Sequence, residues 1–175
     1  MTNRAIKQCY WVESSTFLAG EYPGDKDDRI ARERIAALLK AGVSAFIDLT
    51  ERRDGLEPYA QFLDAGQAPN AHGITYHHFP IRDYSVPASP AVTAAILDTI
   101  DGHIAQGRTV YVHCWGGVGR TGLVVSCWLA TRRGHGDAAP GVFQELWAQC
   151  PKSSYRRAPE SSEQRAYVRN WTEDA

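Results

Sequence analysis

The stretch His113-Cys114-Trp115-Gly116-Gly117-Val118-Gly119-Arg120-Thr121-Gly122 follows the apolar run Thr109-Val110-Tyr111-Val112 and precedes Leu123-Val124-Val125-Ser126-Cys127-Trp128-Leu129-Ala130. The first run reads as a buried strand and the last as a helix. A strand therefore feeds a glycine-rich loop, and the loop feeds a helix N-terminus. Unpaired backbone N–H groups and the positive end of a helix dipole then converge on one point, where an anion is favoured. Cys114 opens the loop and faces that point, and positive surroundings stabilise a thiolate. Arg120, at the far end, carries a planar fork that matches two phosphate oxygens. The competing reading is a plain turn with an inert buried cysteine.

Outward from this centre, residues 9–12 and 16–19 flank the turn-like Glu13-Ser14-Ser15 and predict an edge hairpin. Ile30, Ala31, Ile35, Leu38 and Leu39 recur at helical spacing, so residues 28–41 predict an amphipathic helix that Gly42 stops. A buried strand is expected over 43–49, a charged loop over 50–55, a short helix around 59–65 and a further strand over 74–79. After a loop over 80–87, Ser89-Pro90 supplies a cap and a first-turn proline for a helix reaching about residue 106. Two more helices are expected over 138–149 and 161–172. Strands alternating with helices imply an α/β fold around a mostly parallel sheet, with the ligand site beyond the strands' carboxyl ends. The anion loop falls at that edge.

A chain of 175 residues suits a single domain spanning 1–175. The formal charge of -1 leaves no electrostatic footprint for nucleic acid or an anionic membrane, so any basic feature must be local. Cys9, Cys114, Cys127 and Cys150 are widely spaced, which indicates neither a disulfide framework nor a zinc site. No apolar run suits a signal peptide or a membrane span, and a reducing cytoplasm is expected. Neither a metal nor a cofactor is called for. His77 and His78 must point to opposite faces of a strand and cannot readily share a metal. His72, His103 and His135 read as isolated.

His-Cys, five residues, then Arg-Thr is the signature of the cysteine-dependent protein tyrosine phosphatase superfamily, and the compact chain resembles its dual-specificity branch. Softer likeness extends to Tyr10-Trp11-Val12, to Ala19-Gly20-Glu21-Tyr22-Pro23-Gly24 and to Phe46-Ile47-Asp48-Leu49-Thr50-Glu51. The resemblance implies a central sheet of about five strands, the N-terminal one antiparallel, wrapped by helices. It also implies hydrolysis of a phosphomonoester through a phosphocysteine, without metal.

Attack of a thiolate on a phosphate monoester expels an alkoxide or phenoxide, which leaves poorly unless protonated, so a general acid is needed on the same rim. Asp83 in Phe79-Pro80-Ile81-Arg82-Asp83-Tyr84-Ser85-Val86-Pro87 follows a strand's carboxyl end and resembles the family's mobile acid loop; turn capping is its bland alternative. Asp48, Asp54, Asp64 and Asp98 are rivals, of which Asp48 reads as structural and Asp98 lies inside a helix. Backbone N–H groups of Trp115, Gly116, Gly117, Val118, Gly119 and Arg120 are expected to ring the phosphoryl oxygens, with Arg120 tightening its grip in the transition state. Thr121 places a hydroxyl where it can donate to the thiolate or cap the helix. His113 points to the opposite face and reads as an orienting group. In the second half-reaction Asp83 becomes the base. Gln164 resembles a water-positioning residue of related enzymes, but Ser161-x-x-Gln164 is a capping box and is read as one.

The expected substrate is a phosphorylated protein side chain, phosphotyrosine first and Ser/Thr next. Residues 115–119 carry no Lys or Arg, which places an inositol phosphate or phosphoinositide second; a phosphoprotein-binding module without turnover comes third. Arg52, Arg53, Arg156 and Arg157 read as solvated surface rather than a basic rim. Trp115 and Tyr84 either face an aromatic substrate or pack. Cys127, inside the following helix, is badly aimed for a redox relay.

Overall fold

The computed structural model describes residues 4–63, 73–134 and 136–171. Strands β1 (Cys9–Glu13), β2 (Phe17–Gly20), β3 (Val43–Asp48), β4 (Thr75–His78) and β5 (Thr109–His113) form one sheet in the order β1-β2-β5-β3-β4. β1 pairs antiparallel with β2, and the other three pairings are parallel. Around it lie α1 (Asp28–Lys40), α2 (Pro90–Ala105), α3 (Gly119–Thr131), α4 (Ala139–Trp147) and α5 (Ser162–Arg169). This is the mostly parallel α/β arrangement expected, with the antiparallel strand at the N-terminal edge.

β5 is the middle strand, and its alternation assigns the two cores. Val110, Val112 and Cys114 join one core with Ala45, Ile47, Leu123, Val124 and Trp128. Tyr111 joins the other with Leu18, Phe46 and the α1 residues Ile35, Leu38 and Leu39. A strand covered on both faces has no polar side to show, which explains its unbroken apolar sequence. Each such aliphatic side chain contributes about 1.5–3 kcal/mol when fully buried. Gly20 of β2 and Asp48 of β3 both stand opposite His113. The carboxyl ends of three parallel strands therefore lie level with the start of the loop.

The helix ends show where local signals were sufficient. Asp27 caps α1 by accepting from Arg29 N, and Gly42 takes a left-handed φ of 97° after it. Ser89, expected to cap α2, makes no side-chain cap bond; Pro90 alone fixes that first turn. α3 begins at Gly119, four residues before its apolar run. Gly119-Arg120-Thr121 reads as loop from composition, yet a helix's first turn is also where N–H groups stay free for a ligand. The short helix expected near 59–65 is a 3-10 turn at Ala60–Phe62, and residues 64 and 65 lie outside the described residues. So do Asp64, His72 and His135, whereas the helix expected to reach residue 172 stops at Arg169, with Asn170 as its C-cap. His103, expected to be isolated, instead meets His77, with Nε2 atoms 2.8 Å apart, and ties α2 to the edge strand β4.

Among the described residues no helix is long and apolar enough to cross a membrane. No group of three or more His, Cys, Asp or Glu side chains there is placed to hold a metal ion.

Candidate active site

At the end of β5 two consecutive side chains go to opposite sides. His113 is fully buried and ringed by Tyr22, Tyr59 and Tyr111, whose centroids lie 5.4, 5.3 and 5.5 Å from its own. Its Nε2 is 2.6 Å from the Tyr59 hydroxyl, and its Nδ1 is 3.9 Å from Asp48 Oδ1. Burial pushes the imidazole pKa down, with Asp48 partly opposing. Burial works to raise the Asp48 carboxyl, but His113, Thr50 and Tyr76 outweigh it and hold it below the usual range. Asp48 accepts from Thr50 N at 2.8 Å, Thr50 Oγ1 at 2.7 Å and the Tyr76 hydroxyl at 2.8 Å. It is structural, as its strand-end position suggested.

Cys114 begins the loop on the other side. The loop's carbonyls are held from outside: Tyr22 N donates to Trp115 O at 2.9 Å and Lys152 Nζ to Gly116 O at 2.8 Å. Gly117 has a φ of 70°, and a Cβ there would stand 2.4 Å from the Gly20 carbonyl carbon, so any larger residue would push the loop off the sheet. A Cβ on Gly119 would stand 2.9 Å from Gln164 Oε1. Val118, the residue before α3, supplies no side-chain cap. Among the described residues, no backbone acceptor takes the N–H groups of residues 115–120.

Arg120 is 1% exposed and lies beneath the loop instead of lining the open cleft. Its Nη1 is 2.6 Å from Asp54 Oδ2 and donates to the Ile81 carbonyl at 3.0 Å. Nη2 lies 3.0 Å from Asp83 Oδ1, an ion pair without hydrogen-bond alignment. Burial works against the guanidinium charge, but Cys114, Asp54 and Asp83 outweigh it and raise the Arg120 pKa. Nε and Nη2, the edge that meets an oxyanion side-on, are buried and lack hydrogen-bond partners among the described residues, as does Thr121 Oγ1. Native proteins leave few such atoms unpaired, and these three belong to adjacent residues of the loop-helix junction.

A cleft of about 360 Å³ opens above Cys114, walled by Asp83, Tyr84, Trp115, Lys152 and Arg156. Asp83 is 37% exposed, on a turn closed by Ser85 N donating to Arg82 O. Tyr84 has a φ of 60° and is 57% exposed; Trp115 is 55% exposed. Both aromatic rings stay open to solvent in place of packing. Lys152 pairs with Glu21 at 2.9 Å and Arg156 with Glu160. Of the four arginines read as surface, Arg156 lines this cleft, Arg157 lines a separate cavity, and Arg52 and Arg53 are exposed elsewhere.

Gln164 does form the capping box with Ser161, and its Nε2 also donates to Ser85 O at 3.0 Å, joining α5 to the segment that carries Asp83. Asp54, weighed only as a rival acid, is instead the partner of Arg120. Lys152 carried no sequence signal, since it sits in an ordinary Pro151-Lys152 turn that meets the loop only through the fold. Asp98 pairs with Arg132 on the far side of α2. Cys127 is fully buried, and burial pushes its thiol pKa well up.

The chain is similar to several known proteins. A protein of Invertebrate iridescent virus 3, provisionally named a tyrosine phosphatase, is 34% identical over 103 residues, covering 56% of this chain and 38% of its own. Phosphatidylglycerophosphate phosphatase PTPMT2 of Arabidopsis thaliana is 31% identical over 98 residues, 56% of this chain and 40% of its own. The chain thus spans well under half the length of these two relatives. The crystal structure of Tk-PTP in its active form shares the fold at a TM-score of 0.67 and 22% identity, covering 92% of this chain and 93% of that one. Residues 24–135, more than half of the sequence, match the family described as polymorphic toxin system, DSP-PTPase phosphatase. That span carries β3, the Asp83 segment, the Cys114 loop and all of α3, and the chain belongs to this DSP-PTPase phosphatase family.

Proposed function

We propose that residues 1–175 act as one catalytic domain that hydrolyses phosphate monoesters on proteins, phosphotyrosine first, through Cys114. The carrying observation is the trio of buried donors that make no hydrogen bond among the described residues, Arg120 Nε and Nη2 and Thr121 Oγ1, beside a cysteine and the N–H groups of residues 115–120, which no backbone acceptor there takes. An ionised sulfur at residue 114 attacks phosphorus, and the P–O bond to the substrate breaks. The phosphoryl oxygens lie against the free N–H groups and the Nε–Nη2 edge of Arg120. Arrival of the dianion gives Arg120 a new partner in place of Asp83, whose freed carboxylate takes up a proton from solvent and then gives it to the departing oxygen. In the second step water attacks phosphorus, Asp83 takes the water's proton, and the S–P bond breaks. The Thr121 hydroxyl donates to the leaving sulfur. Asp54 holds Nη1, so the guanidinium keeps its angle through both steps.

The cleft's charges support a single phosphate on an aromatic ring. Lys152 and Arg156 are each neutralised by a neighbouring glutamate, whereas Tyr84 and Trp115 are left open on its walls. The placement of those two cations on the wall also supports the second reading, an inositol phosphate or phosphoinositide, for which they would leave their glutamates. A nucleophilic thiol suits a reducing compartment such as the cytoplasm.

Phosphate release from phosphotyrosyl, phosphoseryl and phosphothreonyl peptides and from inositol phosphates, read as kcat/KM, tests the proposal. Phosphotyrosyl peptides should lead. A lead for inositol phosphates would hand the site to the second reading, and turnover that survives Cys114→Ser would remove the nucleophile from the scheme.

A further inference from the structure

A second cavity of about 420 Å³ lies between α3, α4 and α5, and its chemistry differs from that of the Cys114 cleft. Pro140, Phe143, Ala158, Pro159 and Val168 give it apolar walls. Arg157, Arg165 and Arg169 also line it, and no Asp or Glu does, among the described residues. Arg165 Nη1 donates to the carbonyls of Pro159 and Glu160 at 2.9 and 2.7 Å. Arg157 and Arg169 are exposed and have no carboxylate partner among the described residues. Ser126 is 1% exposed and lines the cavity, and its hydroxyl has no hydrogen-bond partner among the described residues.

A buried orphan hydroxyl destabilises the fold unless something pairs with it. A serine inside a helix ordinarily bonds the carbonyl four residues back or faces water, and this one does neither. Small-molecule sites are mostly apolar, occupy about 300–1,000 Å³, and orient the ligand with a few polar groups. An apolar body suits these walls, and a single anionic head suits arginines that have no acids to match them. A multiply charged ligand would gain little from walls of Pro, Phe and Val.

We infer that the cavity between α3, α4 and α5 binds a small amphiphilic monocarboxylate of the medium-chain fatty-acid type, its carboxylate held by Arg157 and Arg169 and accepting from the Ser126 hydroxyl, and its apolar body lying against Phe143 and Val168. The site stands apart from turnover. Arg156 and Glu160 of the intervening segment face the Cys114 cleft, while Arg157, Ala158 and Pro159 face this one.

Sodium decanoate below its micellar concentration and decanol are the probes, read by titration calorimetry and thermal melting. Decanoate should bind with one-to-one stoichiometry, at least ten-fold tighter than decanol, and Arg157→Glu/Arg169→Glu should weaken it at least ten-fold. Ser126→Ala should raise the melting temperature of the free protein, because it removes an unpaired polar group, and should shrink the upward shift that decanoate produces. Cys114→Ser should bind decanoate as the wild type does, so this site and the phosphatase proposal can fail separately. Equal binding of decanol, indifference to the double charge reversal, or no binding overturns the inference. Binding of an acidic, apolar peptide where decanoate fails also overturns it, in favour of a protein partner.

Discussion

His113 and Cys114 are neighbours in sequence and opposites in environment. His113 is closed in by three tyrosine rings, bonded to Tyr59 and backed by Asp48. Cys114 looks into a cleft, and beside it Arg120 Nε, Arg120 Nη2 and Thr121 Oγ1 make no hydrogen bond among the described residues. The first is a region in which polar groups are satisfied, and satisfied buried networks rigidify their surroundings. The second is a region in which polar groups are held in place but left unsatisfied, which is how a preorganised anion site is built. The lesson is that the rear of the loop spends hydrogen bonds on fixing position so that the front can keep its own open. Mutations should then separate cleanly into those that remove chemistry and those that remove stability.

The largest effect is expected from Cys114→Ser. Turnover of para-nitrophenyl phosphate should fall by roughly 10⁴-fold or more, the scale on which covalent nucleophiles are lost, while the unfolding midpoint in urea stays near that of the wild type. A protein that unfolded instead would erase the distinction between front and rear. Asp83→Asn comes next. Removing a general acid costs about 10²–10⁴-fold, and phenyl phosphate, with its poorer leaving group, should suffer more than para-nitrophenyl phosphate. Equal losses on the two esters would mean that Asp83 does not protonate the leaving oxygen.

Asp54→Asn sharpens the comparison, because Asp54 belongs to the rear yet touches the front through Arg120. A hydrogen bond to a charged group is worth about 1.5–3 kcal/mol. A loss of kcat/KM on the order of ten- to a hundred-fold is expected, with Km for small esters rising as the Nε–Nη2 edge loses its angle. Full activity in this variant would show that the carbonyls of Leu49 and Ile81 suffice to hold the guanidinium. Tyr59→Phe should do the reverse of Cys114→Ser. It leaves His113 Nε2 unpaired and should reduce stability by about 1–3 kcal/mol in urea unfolding, with kcat changed only a few-fold.

The smallest effect concerns the His77–His103 pair. Burial pushes both imidazoles down, His103 to about 4, with His77 and Arg108 adding to the shift at His103. The unfolded chain therefore binds protons that the folded chain refuses, and stability rises with pH. This contribution is present above pH 6.5 and is lost as pH falls toward about 4. Urea midpoints measured between pH 7 and pH 4.5 should decline less steeply in His103→Gln than in the wild type. Identical slopes would exclude the pair as a source of acid sensitivity.

Much of this was legible in the residues. The unbroken apolar run of β5 read as a strand because both its faces are covered, and α1 declared itself through Ile35, Leu38 and Leu39 and the stop at Gly42. The loop was readable because glycines, cysteine and arginine at fixed spacing suit so few other structures. What failed did so for physical reasons. α3 begins four residues before its apolar run: glycine and charge at its N-terminus read as loop in composition although they are helical in geometry. Ser89 looks like a cap, but its hydroxyl makes no cap bond. His103 looked isolated because its partner lies 26 positions away on a different element.

The sequence alone determined the order of strands and helices, the α/β class and the identity of the anion loop, since each depends on periodicity or spacing between near neighbours along the chain. Only the tertiary structure decided that Arg120 is shared between Asp54 and Asp83, that Lys152 pins Gly116 from outside, that Tyr59 secures His113, and that an apolar cavity with unmatched arginines sits between α3, α4 and α5. Those pairings join residues tens of positions apart, and hydrogen bonds and charges act over a few ångströms of space regardless of distance along the chain.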